Sequence, residues 1–83
     1  MTGRLAIIVH PDDNVATLTD SATTAKTLAS GGPVAAGIPY GHKAALAAIP
    51  AGAAVVKYGI AIGRASTDIA AGDHVHVHNV SEL

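Results

Sequence analysis

The sequence predicts a mostly β domain built from short, bent strands, with one or two short helical turns. Three observations support this prediction. Apolar residues, many of them β-branched, come in short runs that are closed by Pro, Gly, Asp or Asn. The pattern Ile-x-x-Gly-x-x-Val occurs twice, at residues 49–55 and 69–75. The 83 residues suffice for one small domain, which we place over residues 1–83.

The first part of the chain is predicted to hold two strands. Residues 5–9 form a continuous apolar run that ends before Pro11, and residues 15–18 form a second run. Between them, the Asp and Asn side chains of residues 11–14 favour a turn, because they can accept hydrogen bonds from nearby backbone amides. Residues 20–30 are rich in Ser, Thr and Ala without a clear period, so both a loop and a weak helix stay open there.

A firm break at residues 31–33, Gly-Gly-Pro, precedes the central part of the chain. Residues 34–38 are predicted to form a strand. Within residues 42–49, Leu46 and Ile49 lie three positions apart. That spacing is consistent with one or two turns of helix.

Two further strands are predicted over residues 54–58 and 60–63, with Gly59 between them. Each copy of the repeated pattern places a glycine, Gly52 or Gly72, in a tight turn that leads into a strand. Two independent turns in an Ala- and Gly-rich chain are the simpler alternative. The repeat favours an all-β fold over a helical bundle.

The composition limits how large the hydrophobic core can be and which kinds of partner the chain can bind. Apolar residues make up 49% of the chain, but many are alanines, and Phe, Trp and Cys are absent. Alanine buries little area, so we expect a thin core and contact of some apolar surface with another chain. The net charge is −1 and 13% of the residues are charged, so the sequence offers no positively charged surface of the kind that binds nucleic acid. Residues 5–9 are too few to span a membrane, so we expect a soluble cytoplasmic protein.

Three histidines alternate with other residues near the C-terminus. In an extended strand, His74, His76 and His78 lie on one face, and Val75 and Val77 pack into the core from the other. Same-face neighbours lie roughly 6.5–7 Å apart, so two of the imidazoles can converge on one metal ion. Three in a straight line cannot, so a third ligand has to come from elsewhere. The alternative is a solvent-facing strand that merely tolerates histidine.

A second candidate group follows the first predicted strand. His10 ends that strand and could supply a metal ligand or a base. Asp13 and Asn14 follow it and could orient a ligand. Their ordinary use as turn-forming residues is the alternative.

Two further stretches combine a cation with a group able to contact a ligand. In Gly41-His42-Lys43, His42 is a possible acid or base and Lys43 could neutralise a carboxylate. Lys57 and Tyr58 add a second cation and a phenol, and Gly59 lets the backbone approach a ligand closely. Structural or solvated roles are the alternative for both stretches.

Taken in order, these motifs resemble the N-terminal domain of the altronate/galactarate dehydratase family over nearly the whole chain. The shared motifs are His10-Pro11-x-Asp13-Asn14-Val15-Ala16, Gly41-His42-Lys43-x-Ala45-Leu46, Lys57-Tyr58-Gly59-x-x-Ile62-Gly63-x-Ala65, Asp68-Ile69-x-x-Gly72 and His74-Val75-His76-x-His78-Asn79. The ending is more similar to the altronate branch than to the galactarate branch. Residues 20–33 match the family least.

The resemblance implies an SAF-type β-clip, a fold of short strands and long bent hairpins. In this family the domain is either fused ahead of a much larger one or forms a separate small subunit, as in sulfolactate sulfo-lyase. Because the chain starts at Met1 and ends after the last motif, we expect a separate small subunit that works with a large dehydratase subunit. A fragment of a longer enzyme is the alternative, and a homo-oligomer is also compatible.

The resemblance further implies a metal-dependent hydro-lyase that removes water from an aldonate, a small sugar acid, to give a 2-keto-3-deoxy acid. The expected cofactor is a divalent metal, Fe²⁺ or Mn²⁺, held by His10, His74 and His76. His42 is the expected catalytic acid or base. The expected substrate-binding residues are Asp13, Asn14, Lys43, Lys57, Tyr58 and Gly59. The alternatives are a sulfolactate sulfo-lyase small subunit and a non-catalytic SAF-type binding module.

Overall fold

The computed structural model describes residues 3–83, which form seven short β-strands. The strands are β1 (Ala6–Ile7), β2 (Val15–Leu18), β3 (Lys43–Ala45), β4 (Ala54–Lys57), β5 (Ile60–Ala65), β6 (His74–Val75) and β7 (Val80–Ser81). They pair antiparallel in two sheets, a four-stranded one of order β1-β2-β3-β6 and a three-stranded one of order β4-β5-β7. The mostly β prediction is confirmed. Residues 3–83 contain no helix, so none that could cross a membrane.

Two segments differ from the local predictions. Residues 42–49 hold strand β3 in place of the predicted helical turn, because β3 is paired on both sides, with β2 and with β6. Residues 34–38 form no strand. There the backbone amides of Val34 and Ala35 bond to two separate places, the carbonyls of Lys26 (3.0 Å) and Gly72 (2.8 Å), so no continuous ladder forms.

The hairpin of β4 and β5 follows the prediction closely. Tyr58 and Gly59 connect the two strands, and both have positive φ, 58° and 73°. Positive φ at both central residues defines the type I′ turn, whose twist suits a two-residue hairpin. A bulge between Val55 and Val56 shifts the register within the same hairpin.

The repeated pattern forms the same structural unit twice. Ile49 and Ile69 each donate a backbone hydrogen bond to the other's carbonyl, both at 2.8 Å. The Gly52 amide donates to the Ala65 carbonyl, and 20 residues later the Gly72 amide donates to the Ala45 carbonyl, again at 2.8 Å. These reciprocal contacts relate the two halves by an approximate twofold axis that passes between Ile49 and Ile69.

The main core is built around this axis from aliphatic residues alone. It contains the equivalent pairs Ala45/Ala65, Ile49/Ile69 and Val55/Val75, together with Val15. A second buried cluster underlies the irregular segment and consists of Leu18, Leu28, Val34, Ile38 and Ala44. Neither cluster contains an aromatic ring, as the composition predicts.

An ion pair connects the N-terminal segment to the loop after β2. The fully buried Arg4 donates from Nε to Asp20 Oδ1 and from Nη2 to the Asp20 carbonyl, each at 3.0 Å. The Leu5 amide donates to the other carboxylate oxygen at 3.0 Å. The pKa of Asp20 lies below its ordinary value, chiefly because the Leu5 amide donates a hydrogen bond to the carboxylate. The hydrogen bond and charge of Arg4 lower it further, and partial burial acts in the opposite direction.

Candidate metal centre

Three histidines converge at one edge of the four-stranded sheet. His42 directly precedes β3, and the pairing of Ala44 with His74 brings β6 beside it. His42 Nδ1 lies 2.8 Å from His74 Nε2. The rings of His42 and His76 are stacked with centroids 4.0 Å apart. One ring nitrogen from each of His42, His74 and His76 lies within 4.8 Å of the other two, and all three residues are half-buried.

A turn, and not an extended strand, carries the histidines after His74. Strand β6 ends at Val75, and the Asn79 amide donates to the His76 carbonyl at 3.1 Å to close the turn. Val77 is therefore 82% exposed, where a straight strand would have packed it into the core. The ring of His78 lies 5.1 Å from that of His74 but outside the three-residue group.

The geometry and the donor set fit a divalent metal. Nitrogens bound to zinc at ~2.0–2.1 Å in a tetrahedral site lie roughly 3.3 Å apart. Two of the nitrogens, of His42 and His74, lie 2.8 Å apart, and one nitrogen from each of the three rings lies within 4.8 Å of the others. These separations are of the size that a shared cation requires. Three imidazoles suit Zn, Fe, Ni or Cu.

Electrostatics keep two of these rings neutral. Burial, followed by the neighbouring imidazoles of His42 and His78, lowers the pKa of His74. Burial, followed by His42 and Lys43, lowers the pKa of His76. A neutral imidazole has a free lone pair, which is the form that binds a metal. The group is thus suited to a cation at neutral pH.

Two lysines beside the group could attract an anion. Burial, followed by repulsion from Lys57, lowers the pKa of Lys43. Among residues 3–83, neither lysine lies within ion-pair distance of a carboxylate. A cavity of about 170 Å³, lined by Lys43, Ile62, His76, Val77 and Val80, connects this charge to the histidines. An organic acid could enter it with its carboxylate near Lys43.

A larger cleft of about 420 Å³ lies elsewhere and shares no lining residue with the first. Ile49 and Ile69 lie at its base, and Asp68 and Asp73 line it. Two carboxylates disfavour an acidic ligand, so the smaller cavity is the better candidate for an anion.

The structure places His10 apart from the three-histidine group. Its Nδ1 accepts a hydrogen bond from the Asp12 amide at 3.0 Å. Its ring lies against Gly59, where an added Cβ would come within 2.8 Å of His10 Cδ2. The close approach that Gly59 allows is therefore to this ring. His42 occupies the place among the imidazoles that we expected His10 to take. The pairing of β3 with β6 brings it there, and the local sequence carries no signal of that pairing.

Asp13 uses its carboxylate to join two backbone segments. Its oxygens accept from the amides of His10 at 3.1 Å and Gly59 at 2.8 Å. Burial raises its pKa, but these bonds and those from Tyr58 and Val9 outweigh burial, and the pKa of Asp13 is lowered overall.

Asn14 and the hairpin residues have separate surroundings. Asn14 donates from Nδ2 to the Ala54 carbonyl and accepts from the Val56 amide, at 2.9 and 2.8 Å. Lys57 Nζ lies 4.8 Å from the centre of the Tyr58 ring, a cation–π distance. Ile62 of β5 lines the small cavity together with Lys43 and His76, so the hairpin borders the histidine edge of the domain.

Comparison with known proteins places these features in a family. The sequence profile of the altronate/galactarate dehydratase SAF domain matches residues 4–83. An altronate dehydratase of Escherichia coli (strain K12) is 60% identical over 42 residues, and that of Bacillus subtilis (strain 168) is 55% identical over 42 residues. Each matched segment is 51% of this chain but 8% of the dehydratase.

A smaller relative is similar over much of its length. The alpha subunit of (2R)-sulfolactate sulfo-lyase from Paracoccus pantotrophus is 52% identical over 44 residues, which are 53% of this chain and 66% of that subunit. The family resemblance read from the motifs is thereby confirmed. The profile match covers nearly every residue of the all-β fold, and the chain belongs to the altronate/galactarate dehydratase SAF domain family.

Proposed function

We propose that the chain is the small component of a metal-dependent sugar-acid dehydratase of the altronate type. The reaction is removal of water from an aldonate to give a 2-keto-3-deoxy acid. The observation that carries this proposal is the convergence of His42, His74 and His76 beside Lys43. The names of the dehydratase relatives supply the reaction class.

The three histidines are the proposed ligands of a divalent cation, Fe²⁺ or Mn²⁺. Neutral imidazoles are suitable ligands for Fe²⁺, whereas Mn²⁺ favours oxygen ligands, so Fe²⁺ fits the three imidazoles better. When bound, the cation supplies positive charge that stabilises the negative charge developing on the substrate as its α-proton leaves. His10 is outside this set because its ring lies against Gly59.

The other site residues bind and orient the substrate in this proposal. Lys43 and Lys57 attract its carboxylate, since each is a cation without an acidic partner among the described residues. Tyr58 presents an exposed phenol at the hairpin tip near Lys57. Gly59 acts indirectly, because its amide donates to Asp13 and its open side faces the ring of His10. Asp13 and Asn14 act through the backbone segments that they join.

His42 serves as a ligand in this scheme. When one ring nitrogen of His42 binds the cation, the other carries the N–H, so the ring has no lone pair left with which to act as the base. We therefore assign removal of the α-proton and protonation of the leaving hydroxyl to groups of a larger partner chain. The 8% of each dehydratase that this chain matches leaves room for such groups in those proteins.

A larger lyase chain is the proposed partner. The sulfo-lyase relatives are named as subunits. Exposed apolar side chains, among them Ile60 at 65%, Ile62 at 43% and Val77 at 82%, lie on the hairpin and on the turn that bounds the small cavity. Covering them would exclude water from the site, which strengthens every charge interaction inside it.

The test begins with the native complex. The tagged chain is recovered from its own cell extract, the co-purifying large chain is identified by mass spectrometry, and the pair is assayed for dehydration of altronate. His42→Ala and His76→Ala are expected to lower turnover by about a hundredfold or more, because each removes a ligand. His78→Ala, an exposed histidine of the same turn, is the matched control and should stay within a few-fold of the native pair.

Unchanged turnover in the His42 and His76 variants would reject a catalytic metal centre and support a non-catalytic binding module. Recovery of the chain alone, at native abundance and low salt, would reject the partner.

One observation favours a second candidate reaction. The sulfo-lyase alpha subunits are matched over 46% and 66% of their length, whereas the dehydratases are matched over 8%. A sulfo-lyase small subunit would use the same α-proton chemistry with sulfite as the leaving group. Parallel assays of the recovered pair on altronate and on sulfolactate decide between the two substrates.

A further inference from the structure

Two asparagines occupy equivalent positions about the approximate twofold axis. Asn79 donates from Nδ2 to the His74 carbonyl at 2.8 Å and accepts from the His76 amide at 2.9 Å. Asn14 makes the same pair of bonds to Ala54 and Val56, at 2.9 and 2.8 Å. Ala54 and Val56 are the residues 20 positions before His74 and His76.

The equivalence extends to the backbone of both asparagines. The Asn79 amide donates to the His76 carbonyl at 3.1 Å, and the Asn14 amide donates to the Val56 carbonyl at 3.2 Å. The two side chains therefore perform the same structural task. They differ in the residues that they bind: Asn79 bonds to the backbone of two histidines, and Asn14 bonds to the backbone of an alanine and a valine.

The two side-chain hydrogen bonds contribute more to the local backbone position at Asn79 than at Asn14, because no strand pairing holds His76. The β6 ladder stops at Val75, whereas β4 continues past Val56 and stays paired with β5. His76 is thus held by the turn and by the Asn79 side chain. Asn79 is 6% exposed, which shields these bonds from water.

We infer that Asn79 is a positioning residue of the three-histidine centre. It fixes the backbone between His74 and His76, so that both rings already lie beside His42 before a cation binds. This inference rests on the proposed function for its metal site. It adds a residue that touches neither the cation nor the substrate.

The test measures binding of Zn²⁺ alone to the purified full chain by calorimetry. The native chain and Asn14→Ala are expected to bind one Zn²⁺ with similar affinity, because Asn14 bonds to Ala54 and Val56 and its proposed role concerns the substrate, which this measurement leaves out. Asn79→Ala should bind it about 10- to 100-fold more weakly, as is typical when a group that orients a ligand is lost. Both variants lose the same two hydrogen bonds, so Asn14→Ala controls for damage to the fold.

Thermal unfolding of the same three proteins supplies a second measurement. Without metal, the two variants should melt below the native chain. With Zn²⁺, the melting temperature of the native chain and of Asn14→Ala should rise, because the ion binds the folded state. That of Asn79→Ala should rise less. Asn79→Asp keeps the acceptor for His76 but loses the donor to His74, so its Zn²⁺ affinity should be intermediate; it replaces Asn79→Ala if that variant does not fold.

The outcomes separate this inference from the function on which it rests. A native chain that binds no Zn²⁺ overturns the metal centre and the inference together. A native chain that binds Zn²⁺, with Asn79→Ala binding equally well, overturns the inference alone. Equal losses in Asn79→Ala and Asn14→Ala would show that the effect is one of general stability, and would also overturn it.

Discussion

Gly72 and Gly52 occupy equivalent turns but differ in the space around them. Both have positive φ, 88° and 85°. A Cβ at Gly72 would lie 2.8 Å from the backbone oxygen of Pro33, whereas a Cβ at Gly52 would have no neighbour within 4 Å. A residue other than glycine would therefore have a strained backbone at both positions, but it would clash with a neighbour only at position 72.

This difference gives a prediction for the two alanine variants. Gly52→Ala should lower the free energy of unfolding by about 1 kcal/mol, the order of the strain of a non-glycine residue at positive φ. Gly72→Ala should lower it by roughly 2 kcal/mol more, because the Pro33 segment has to move. Urea denaturation of the native chain and the two variants measures both values. Equal losses would mean that the Pro33 segment yields without cost.

At the scale of residues, the sequence indicated which residue types form the candidate site better than it indicated which of them lie next to one another. The alternation of His74 and His76 suggested that these two converge on a metal, which stays a prediction; their ring centroids lie 5.6 Å apart, and a turn, not an extended strand, carries His76. Their third neighbour, His42, lies 32 positions away from His74, and only the pairing of β3 with β6 brings it there. Single-sequence patterns report spacing along the chain, whereas this contact depends on long-range strand pairing.

At the scale of elements, the β4–β5 hairpin carries backbone strain at its tip. Tyr58 has φ of 58°, a region that asparagine tolerates far better than tyrosine. Its ring is 54% exposed and contacts Lys57. The strain persists at a residue that we propose to contact the substrate, and strain of this kind tends to be found at functional sites.

Tyr58→Asn is therefore expected to stabilise the isolated domain. Relief of strain should exceed the loss of an exposed cation–π contact and raise the free energy of unfolding by about 0.5 kcal/mol. Thermal unfolding at neutral pH measures this change. Tyr58→Phe keeps the ring and the strain and should leave stability nearly unchanged. A less stable Asn variant would show that the ring contact outweighs the strain.

The elements that could be predicted are those with local signals. Strand β2 and the β4–β5 hairpin are bounded by turn residues and rich in β-branched side chains, and both occur close to the predicted positions. Strand β3 is Lys-Ala-Ala, which has little β propensity. It is a strand because alanines at 0–1% exposure fit between two neighbouring strands in the core. That reason belongs to the tertiary structure.

At the scale of the whole molecule, acid should weaken the tie between the N-terminal segment and the rest of the domain. The pKa of Asp20 is lowered in the folded state, so its contribution to stability is complete above an unfolded value of about 3.9. The contribution is lost as the pH falls through the folded value. Protonation would also leave the buried Arg4 without a counter-ion.

Asp20→Asn should accordingly melt at a lower temperature than the native chain at pH 7, and the gap should narrow as the pH falls from 5 to 2. Melting curves over that range test this expectation. Asp12→Asn, at a well-exposed carboxylate, should follow the native profile. A constant gap at every pH would show that the ion pair of Asp20 does not control the acid response.

The composition predicted the thin aliphatic core, and the structure confirms it. It also suggested that apolar surface remains for another chain, and large side chains such as Ile60 and Val77 are indeed exposed. Which surface is exposed could not be inferred, because Val77 lies outside the core only through the turn after β6.

The approximate twofold axis relates the backbone framework of the two halves but not their chemistry. Equivalent positions hold the fold through backbone contacts and through Ile, Gly, Val and Asn residues shared by both halves. The positions that match His42, His74 and His76 are Ile62, Ala54 and Val56, so the three imidazoles lie at the four-stranded sheet and their counterparts at the three-stranded sheet are apolar. One arrangement of hydrogen bonds thus supports two different surfaces. One bears the proposed metal ligands, and the other leads to the hairpin that we propose to contact the substrate.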